Sequence, residues 1–270
     1  MTRRLLLAGA GFSLLSPRSC GGAPPRDADG QAAGTSAGGA EPETPGPQDA
    51  ATAPAAPPAA VAAAPLGGRP QAVPMRAPLA ALSTTDRLLA LTIDDGPDPT
   101  YTPAVLKILD EQRISATFFL IGRNAAEHPA LVREIAAHGH HIANHTWSHP
   151  DLRRLSETEA RDELRRTCDL LYETTGRAPT WFRAPAGDFT EASLRVGAEL
   201  GMRPMAWSVD PRDWSRPGSS AIVDRVLKAV GSGSIVLNHD GGGDRTQTVT
   251  ALRSYLPVLT GQGYQFTTPR

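Results

Sequence analysis

Two histidines, His145 and His149, lie four residues apart, a spacing that could do chemistry. On a helical turn, side chains at this spacing face the same direction, so both imidazoles could bind one metal ion. Two surface histidines near a loop would produce the same spacing. The pair alone therefore leaves both a metal site and an ordinary surface open.

Two adjacent carboxylates, Asp94 and Asp95, follow an apolar stretch and precede Gly96 and Pro97. Because neighbouring side chains point in different directions, one carboxylate could bind a metal ion while the other acts on water. Asp, Gly and Pro also favour tight turns, so an Asp-rich turn is the alternative. One aspartate added to two histidines, with an open position, gives the ligand set of a catalytic metal site.

Further polar residues follow apolar stretches in the same way. They are Arg183 after Trp181-Phe182, Asp210 and Asp213 around a proline turn, and His239 after Ser234–Leu237. Singly, each could be structural, as a capped cation, a turn residue or a polar group at a strand end. Their shared position after predicted strands indicates one site, because active sites of β/α barrels form at that edge.

The elements that would position these residues alternate between strands and helices from Arg87 onward. Strands are predicted over 87–93, 116–121, 140–143, 181–182, 205–209, 234–238 and 264–267, and helices over 104–112, 129–138, 156–175, 191–200, 221–230 and 248–259. The helix from Ser156 opens with a capping-box pattern that includes Glu159. Repeated β/α units predict an α/β fold, with a parallel sheet or barrel surrounded by helices.

The first 20 residues have the pattern of an export signal. Arg3 and Arg4 precede an apolar run that ends at Leu15 and is too short to span a bilayer. A disordered N-terminal tail is the alternative. Cys20 stands where a lipoprotein signal would be cut and acylated, although the residues before it fit that pattern poorly. We therefore expect an exported protein, extracellular or associated with the cell envelope, with lipid anchoring through Cys20 as a further option.

Composition separates the rest of the chain into two parts. Residues 21–85 are rich in Ala, Pro and Gly and predict a disordered linker, whereas residues 86–270 predict a single catalytic domain. The net charge is -1, with Lys+Arg 27 against Asp+Glu 28, which argues against a nucleic-acid partner. Two cysteines do not make a disulfide framework.

Five ordered motifs resemble the polysaccharide deacetylase domain of carbohydrate esterase family 4, the NodB homology domain. They are Thr92–Pro97, His145–His149, Arg183–Gly187, Asp210–Trp214 and Leu237–His239. The resemblance covers about residues 86–270 and implies a distorted (β/α)7-like barrel. Ile93 replaces the usual phenylalanine of the first motif. Ala186 stands where the third motif commonly has an aromatic residue, which bears on substrate stacking rather than on chemistry.

The resemblance also implies roles for individual residues at one end of the site. Asp95, His145 and His149 would bind a divalent metal ion, usually Zn²⁺, with Co²⁺ or another ion as alternatives. Asp94 would be the general base, positioned by Arg183.

Other roles implied by the resemblance concern the leaving group and the substrate. His239 would be the general acid, oriented by Asp210. The backbone N–H of Ala186 would help hold the oxyanion. Trp214 would wall the groove, and Leu237 would line the pocket for the acetyl methyl group.

The implied activity is metal-dependent hydrolysis of N-acetyl groups on GlcNAc-containing glycans, peptidoglycan or chitin, with release of acetate. An O-acetyl esterase acting on xylan would use the same residues. A non-catalytic wall-binding module would keep the fold, but the intact charged residues argue against it. The implied partner is an acetylated cell-wall polysaccharide or oligosaccharide, and no stable protein partner is implied.

Overall fold

A computed structural model describes residues 77–269, so the predicted export signal, Cys20 and the predicted linker up to residue 76 lie outside the described residues. The strands are β1 (Leu88–Asp94), β2 (Thr117–Leu120), β3 (His141–Asn144), β4 (Trp181–Phe182), β5 (Arg203–Pro204), β6 (Ile235–His239) and β7 (Gln265–Phe266). The helices are α1 (Tyr101–Gln112), α2 (Gly122–Glu127), α3 (Pro129–Ala137), α4 (Glu157–Thr175), α5 (Glu191–Glu199), α6 (Ser219–Ala229) and α7 (Thr246–Gly261). None of these helices is long and apolar enough to cross a bilayer.

The strands form one sheet in the order β5-β4-β3-β2-β1-β6, and β7 pairs with the start of β1. Each of these pairings is parallel. After β5 the chain returns toward the other end of the sheet, where Val209 bridges to Val236 of β6. The sheet is therefore curled, with helices around it, and the predicted distorted (β/α)7-like barrel is confirmed.

Successive side chains of a strand point to opposite faces of the sheet, so only every second residue faces the inside of the curled sheet. On β1, Leu89 and Leu91 pack into the large cluster shared with the helices. Ala90 packs instead with Phe119 in a smaller cluster enclosed by the strands. Because side chains alternate along a strand, Asp94 continues the enclosed row that Ala90 begins. The same alternation applies to every strand that contributes to the site.

A short segment before β1, residues 79–82, crosses the gap between the two ends of the sheet, and we call it the strap. Leu79 pairs with Met205 next to β5, and Ala81 pairs with Ser234 next to β6. The backbone N–H of Leu79 donates to the carbonyl of Pro204 at 3.0 Å. The strap therefore supplies hydrogen bonds to both open edges of the sheet.

The strap lies within the stretch that the sequence predicted as a disordered linker, residues 21–85. Leu79 and Leu82 pack against the enclosed cluster. The Ala- and Pro-rich composition around these two leucines predicts disorder. The sequence could not reveal the pairing of the strap, because its partners lie more than a hundred residues away.

The other elements agree with the sequence prediction except at β5, which was not predicted, in residues 205–209 and at α2. The capping box of Ser156 and Glu159 is present at the start of α4. The strand predicted over 205–209 is wrong, because that segment crosses the gap and pairs through isolated bridges at its two ends, Met205 with Leu79 and Val209 with Val236. Helix α2, with six residues, was not predicted because it is too short for a helical period to show.

Candidate active site

Asp94 ends β1 with its carboxylate against the guanidinium of Arg183, which follows β4 and is fully buried. Nη1 of Arg183 donates to Oδ1 of Asp94 at 2.7 Å and to Oγ1 of Thr92 at 2.9 Å. Its Nε and Nη2 donate to the carbonyls of Met205 and Ala206 at 3.1 and 2.8 Å. With these donors on fixed partners, Arg183 holds Asp94 in one orientation. The structure thus brings Arg183 and Asp94 together as predicted.

Asp95 follows with a left-handed backbone, at a φ of 74°. Its Oδ1 lies 3.4 Å from Nε2 of His145 and 3.4 Å from Nε2 of His149. Within residues 77–269, this buried oxygen has no hydrogen-bond partner. Burial opposes ionisation of Asp95, but the imidazoles of His145, His239 and His149 outweigh it and lower the pKa of Asp95 to about 2. Oδ1 of Asp95 therefore lies between two imidazole nitrogens without a hydrogen bond to either.

His145 and His149 lie on a loop after β3, and the helical turn predicted from their spacing is wrong. Thr146 and His149 have left-handed backbones, with φ of 66° and 58°, a conformation uncommon outside glycine. Glu163 of α4 accepts two N–H groups of this loop at 2.8 Å each. The imidazole rings of His145 and His149 converge because this loop is bent. Glu163 stabilises the loop, and no sequence pattern predicted that role.

The hydrogen bond of His145 assigns its tautomer. Nδ1 lies 2.9 Å from the carbonyl oxygen of Arg183, which can only accept, so Nδ1 carries the proton and Nε2 faces Asp95. Burial disfavours the cationic form of His145, but the carboxylates of Asp94 and Asp95 raise its pKa. Burial and the neighbouring His145 lower the pKa of His149. A cation would bind the unprotonated form of each of these imidazoles.

The three donor groups fit a divalent cation. One ligand atom from each of Asp95, His145 and His149 lies within 4.8 Å of the others. Two ligand atoms of a tetrahedral zinc site, each about 2.0–2.1 Å from the ion, lie roughly 3.3–3.4 Å apart. That separation agrees with both N···O distances to Oδ1 of Asp95, 3.4 Å each. One carboxylate and two imidazoles also leave a fourth position open, as catalytic sites do.

His239 ends β6 and pairs in register with Asp94 on the neighbouring strand β1. Its Nδ1 lies 2.8 Å from Oδ1 of Asp213, and its backbone N–H donates to Oδ2 of Asp213 at 2.9 Å. Thr248 of α7 donates to Oδ2 of Asp213 at 2.8 Å. Burial disfavours the imidazolium, but Asp213, helped by Asp94 and Asp95, raises the pKa of His239 to about 9. His239 is therefore cationic at neutral pH.

The predicted partner of His239, Asp210, is the wrong aspartate. Asp210 is exposed, and its Oδ1 accepts the backbone N–H of Arg212 at 2.7 Å. Asp213 starts a short 3₁₀ turn, Asp213–Ser215, and is 1% exposed. Because both aspartates lie in the same motif, spacing alone could not show which carboxylate turns inward.

A cavity of about 370 Å³ opens among these groups. It is lined by Asp94, Asp95, His145, His149, Ala184, Ala186, Trp207, Asp210, Trp214, Leu237 and His239. Every predicted site residue except Arg183 therefore lines the cavity, and Arg183 lies behind Asp94. Trp207 and Ala184 are additions that the sequence did not indicate. Trp214 is 53% exposed, so its ring is free to contact a ligand at the cavity mouth.

The comparisons with known proteins agree with this geometry. Residues 81–205 match the polysaccharide deacetylase family. The chain is 42% identical over 185 residues to a peptidoglycan-N-acetylglucosamine deacetylase of Bacillus cereus. That alignment covers 68% of this chain and 86% of the Bacillus cereus protein. The chain is also 42% identical over 191 residues to a chitooligosaccharide deacetylase of Bradyrhizobium sp., which covers 66% of this chain and 87% of that one.

A solved structure has the same fold. The crystal structure of a peptidoglycan N-acetylglucosamine deacetylase in complex with 4-naphthalen-1-yl-N-oxidanyl-benzamide has a TM-score of 0.68 to this chain at 37% identity. The match covers 70% of this chain and 89% of that one. With its five motifs, its curled parallel sheet and relatives of this similarity, the chain belongs to the polysaccharide deacetylase family, carbohydrate esterase family 4.

Proposed function

We propose that the chain is a secreted, metal-dependent deacetylase that hydrolyses N-acetyl groups of GlcNAc-containing glycans, of peptidoglycan or chitin type, and releases acetate. The observation that carries the proposal is the buried Oδ1 of Asp95, which lies 3.4 Å from two imidazole nitrogens and has no hydrogen bond among the described residues. A base held by Arg183 and an acid held by Asp213 border the same cavity. The names of the relatives supply the glycan class.

Asp95, His145 and His149 would hold the cation, with Zn²⁺ as the first candidate. When bound, a divalent cation lowers the pKa of a water molecule and polarises the acetyl carbonyl. The rest of the reaction depends on what the chain's own side chains do with protons and with the sugar.

Asp94 is placed to take the proton of the attacking water. Its carboxylate lines the cavity beside Asp95, and Arg183 fixes the Oδ1 oxygen at 2.7 Å. The Oδ2 oxygen lies 3.8 Å from Nε2 of His145. One oxygen is therefore bound to the guanidinium, and the other remains available as the general base.

His239 is placed to protonate the leaving nitrogen. An amine is too basic to depart as an anion, so the C–N bond breaks only as the nitrogen gains a proton. Asp213 engages Nδ1 of His239, which leaves Nε2 as the proton donor. The raised pKa of His239, about 9, keeps that donor charged at neutral pH.

The cavity walls favour an acetylated sugar. Leu237 and His239 lie two residues apart on β6, so both face the cavity. Leu237 offers an apolar contact for the acetyl methyl group, while His239 meets the nitrogen. Trp207 and Trp214 offer flat apolar surfaces to a sugar ring. The N–H of Ala186, which lines the same cavity, is proposed to help hold the oxyanion.

Export belongs to the proposal on the evidence of sequence alone. The basic and then apolar pattern of residues 1–20 supports it. A secreted enzyme would meet cell-wall glycans directly, and the Ala-, Pro- and Gly-rich residues that follow would serve as a tether.

Acetate release from three substrates tests the activity. The full chain, stripped of metal and then supplied with Zn²⁺, should release acetate from peptidoglycan or chitopentaose only after the metal is added. His149→Ala should lower both bound zinc, measured by mass spectrometry, and acetate release. His138→Ala is the matched control, because that imidazole pairs with Asp110 on α1, outside the cavity.

Three results would contradict the proposal. Acetate release from acetylxylan alone would show the esterase alternative. Unchanged zinc content in His149→Ala would show that the metal assignment is wrong. Full activity without any divalent ion would overturn metal dependence.

A further inference from the structure

Arg245, which none of the five motifs contains, is a buried cation at the start of α7. Its Nε donates to the carbonyl of Gly241 at 2.6 Å, and its Nη2 donates to the carbonyl of Gly242 at 3.1 Å. Its Nη1 donates to the carbonyl of Trp214 at 3.3 Å. The guanidinium therefore joins the loop after β6 to the turn that carries the groove wall.

The same guanidinium also faces the carboxylate of Asp95. Nη2 of Arg245 lies 4.0 Å from Oδ2 of Asp95. The two oxygens of Asp95 thus have different surroundings, because Oδ1 lies between the imidazoles and Oδ2 faces Arg245.

Gly242 packs into the space between these two groups. A Cβ at this position would lie 2.8 Å from Oδ2 of Asp95 and 3.2 Å from Nη2 of Arg245, and the backbone φ is +72°. Any side chain here would force Asp95, Arg245 or the loop itself to shift. The close fit shows that the loop held by Arg245 also packs against Asp95.

We propose that Arg245 is a positioning residue that makes Asp95 a one-oxygen ligand. Its fixed charge keeps Oδ2 turned toward the protein, and the glycine loop that it holds blocks rotation of the carboxylate. Only Oδ1 then remains for the cation. The inference rests on the proposed metal site and adds a residue to it.

Zinc affinity of the metal-free protein, measured by competition with a chromophoric chelator, tests this role without any activity assay. Arg245→Gln should raise the Kd for Zn²⁺ by roughly tenfold or more, as for other groups that orient metal ligands. Arg245→Lys keeps the charge but cannot contact both glycine carbonyls as a fork, so its Kd should lie between those of wild type and Arg245→Gln. Arg225→Gln is the matched control. Arg225 also donates to a loop carbonyl, that of Pro211 at 2.8 Å, but not to the loop beside Asp95. The Kd of this variant for Zn²⁺ should stay within twofold of wild type.

The outcomes separate this inference from the proposed function. If wild type itself does not bind Zn²⁺, the proposed metal site fails. If wild type and Arg245→Gln bind Zn²⁺ equally well, Arg245 has only a structural role, even if the variant has a lower melting temperature. If Arg245→Gln does not fold, Arg245→Lys decides: a raised Kd supports the inference, and a wild-type Kd overturns it.

Discussion

Two buried ion pairs border the cavity and hold two groups in opposite charge states. On the base side, the guanidinium of Arg183 lies 2.7 Å from Asp94. On the acid side, the carboxylate of Asp213 lies 2.8 Å from His239. The partners differ in their backbones, because Arg183 directly follows a strand whereas Asp213 belongs to a short 3₁₀ turn.

Because of this difference, each ion pair is attached to a different part of the molecule. Arg183 is anchored to the hydroxyl of Thr92 on β1 and to the carbonyls of Met205 and Ala206 just after β5, so the sheet holds the proposed base. Asp213 shares its turn with Trp214, so the proposed acid is held by the same segment that carries the proposed groove wall. We therefore expect substitutions of Asp94 or Arg183 to change kcat alone, and substitutions of Asp213 to change both kcat and KM.

The largest expected effect lies on the base side. Asp94→Asn should lower kcat by about 10²–10⁴, because an amide cannot take the proton of water. Bound zinc should stay unchanged, since Asp94 is not among the proposed ligands. Asp110→Asn, a surface carboxylate on α1, is the control. Near-normal turnover by Asp94→Asn would show that another group is the base.

An intermediate effect is expected on the acid side. Asp213→Asn removes the carboxylate that raises the pKa of His239 to about 9, while the burial that lowers it remains. The pKa of His239 should fall, so the active imidazolium is lost at a lower pH and the basic limb of the kcat profile moves down. At neutral pH kcat should drop on the order of 10- to 100-fold, part of what a general acid contributes.

Asp210→Asn is the matched variant for that experiment. Asp210 caps its own turn through the N–H of Arg212, so the position of the basic limb should not change. A limb that moves in Asp210→Asn and not in Asp213→Asn would reverse the assignment of the acid's partner.

The smallest expected effect concerns the groove wall. Trp214→Ala should raise KM about 2- to 10-fold with kcat nearly unchanged, because an exposed aromatic contact contributes about 0.5–1.5 kcal/mol to ground state and transition state alike. Trp207→Ala should also lower kcat, since its ring lies 5.4 Å from the guanidinium of Arg183. Equal effects of the two variants on KM alone would remove the distinction between the two sides.

Residues at strand ends could be predicted from the sequence because regular geometry places them. Asp94, Arg183 and His239 each end or follow a parallel strand, and the carboxyl ends of parallel strands meet at one edge. Alternation then placed Leu237 and His239 on one face.

Residues on irregular backbone could not be placed in that way. The choice between Asp210 and Asp213 depends on a 3₁₀ turn, and the convergence of His145 and His149 depends on left-handed residues. Neither conformation leaves a period in the sequence. Leu79 of the strap was missed for a related reason, since its partner Met205 is remote in the chain.

The register between β1 and β6 has a consequence for the proton balance of the proposed reaction. In each turnover Asp94 gains one proton from water, and His239 gives one proton to the departing amine. Both groups must be reset before the next substrate binds. Because Asp94 and His239 are register partners on adjacent strands and line the same cavity, we expect a water molecule in the cavity to carry the proton of Asp94 to His239. Turnover should then be independent of buffer concentration at constant pH, and a dependence on buffer concentration would show that the reset uses bulk solvent.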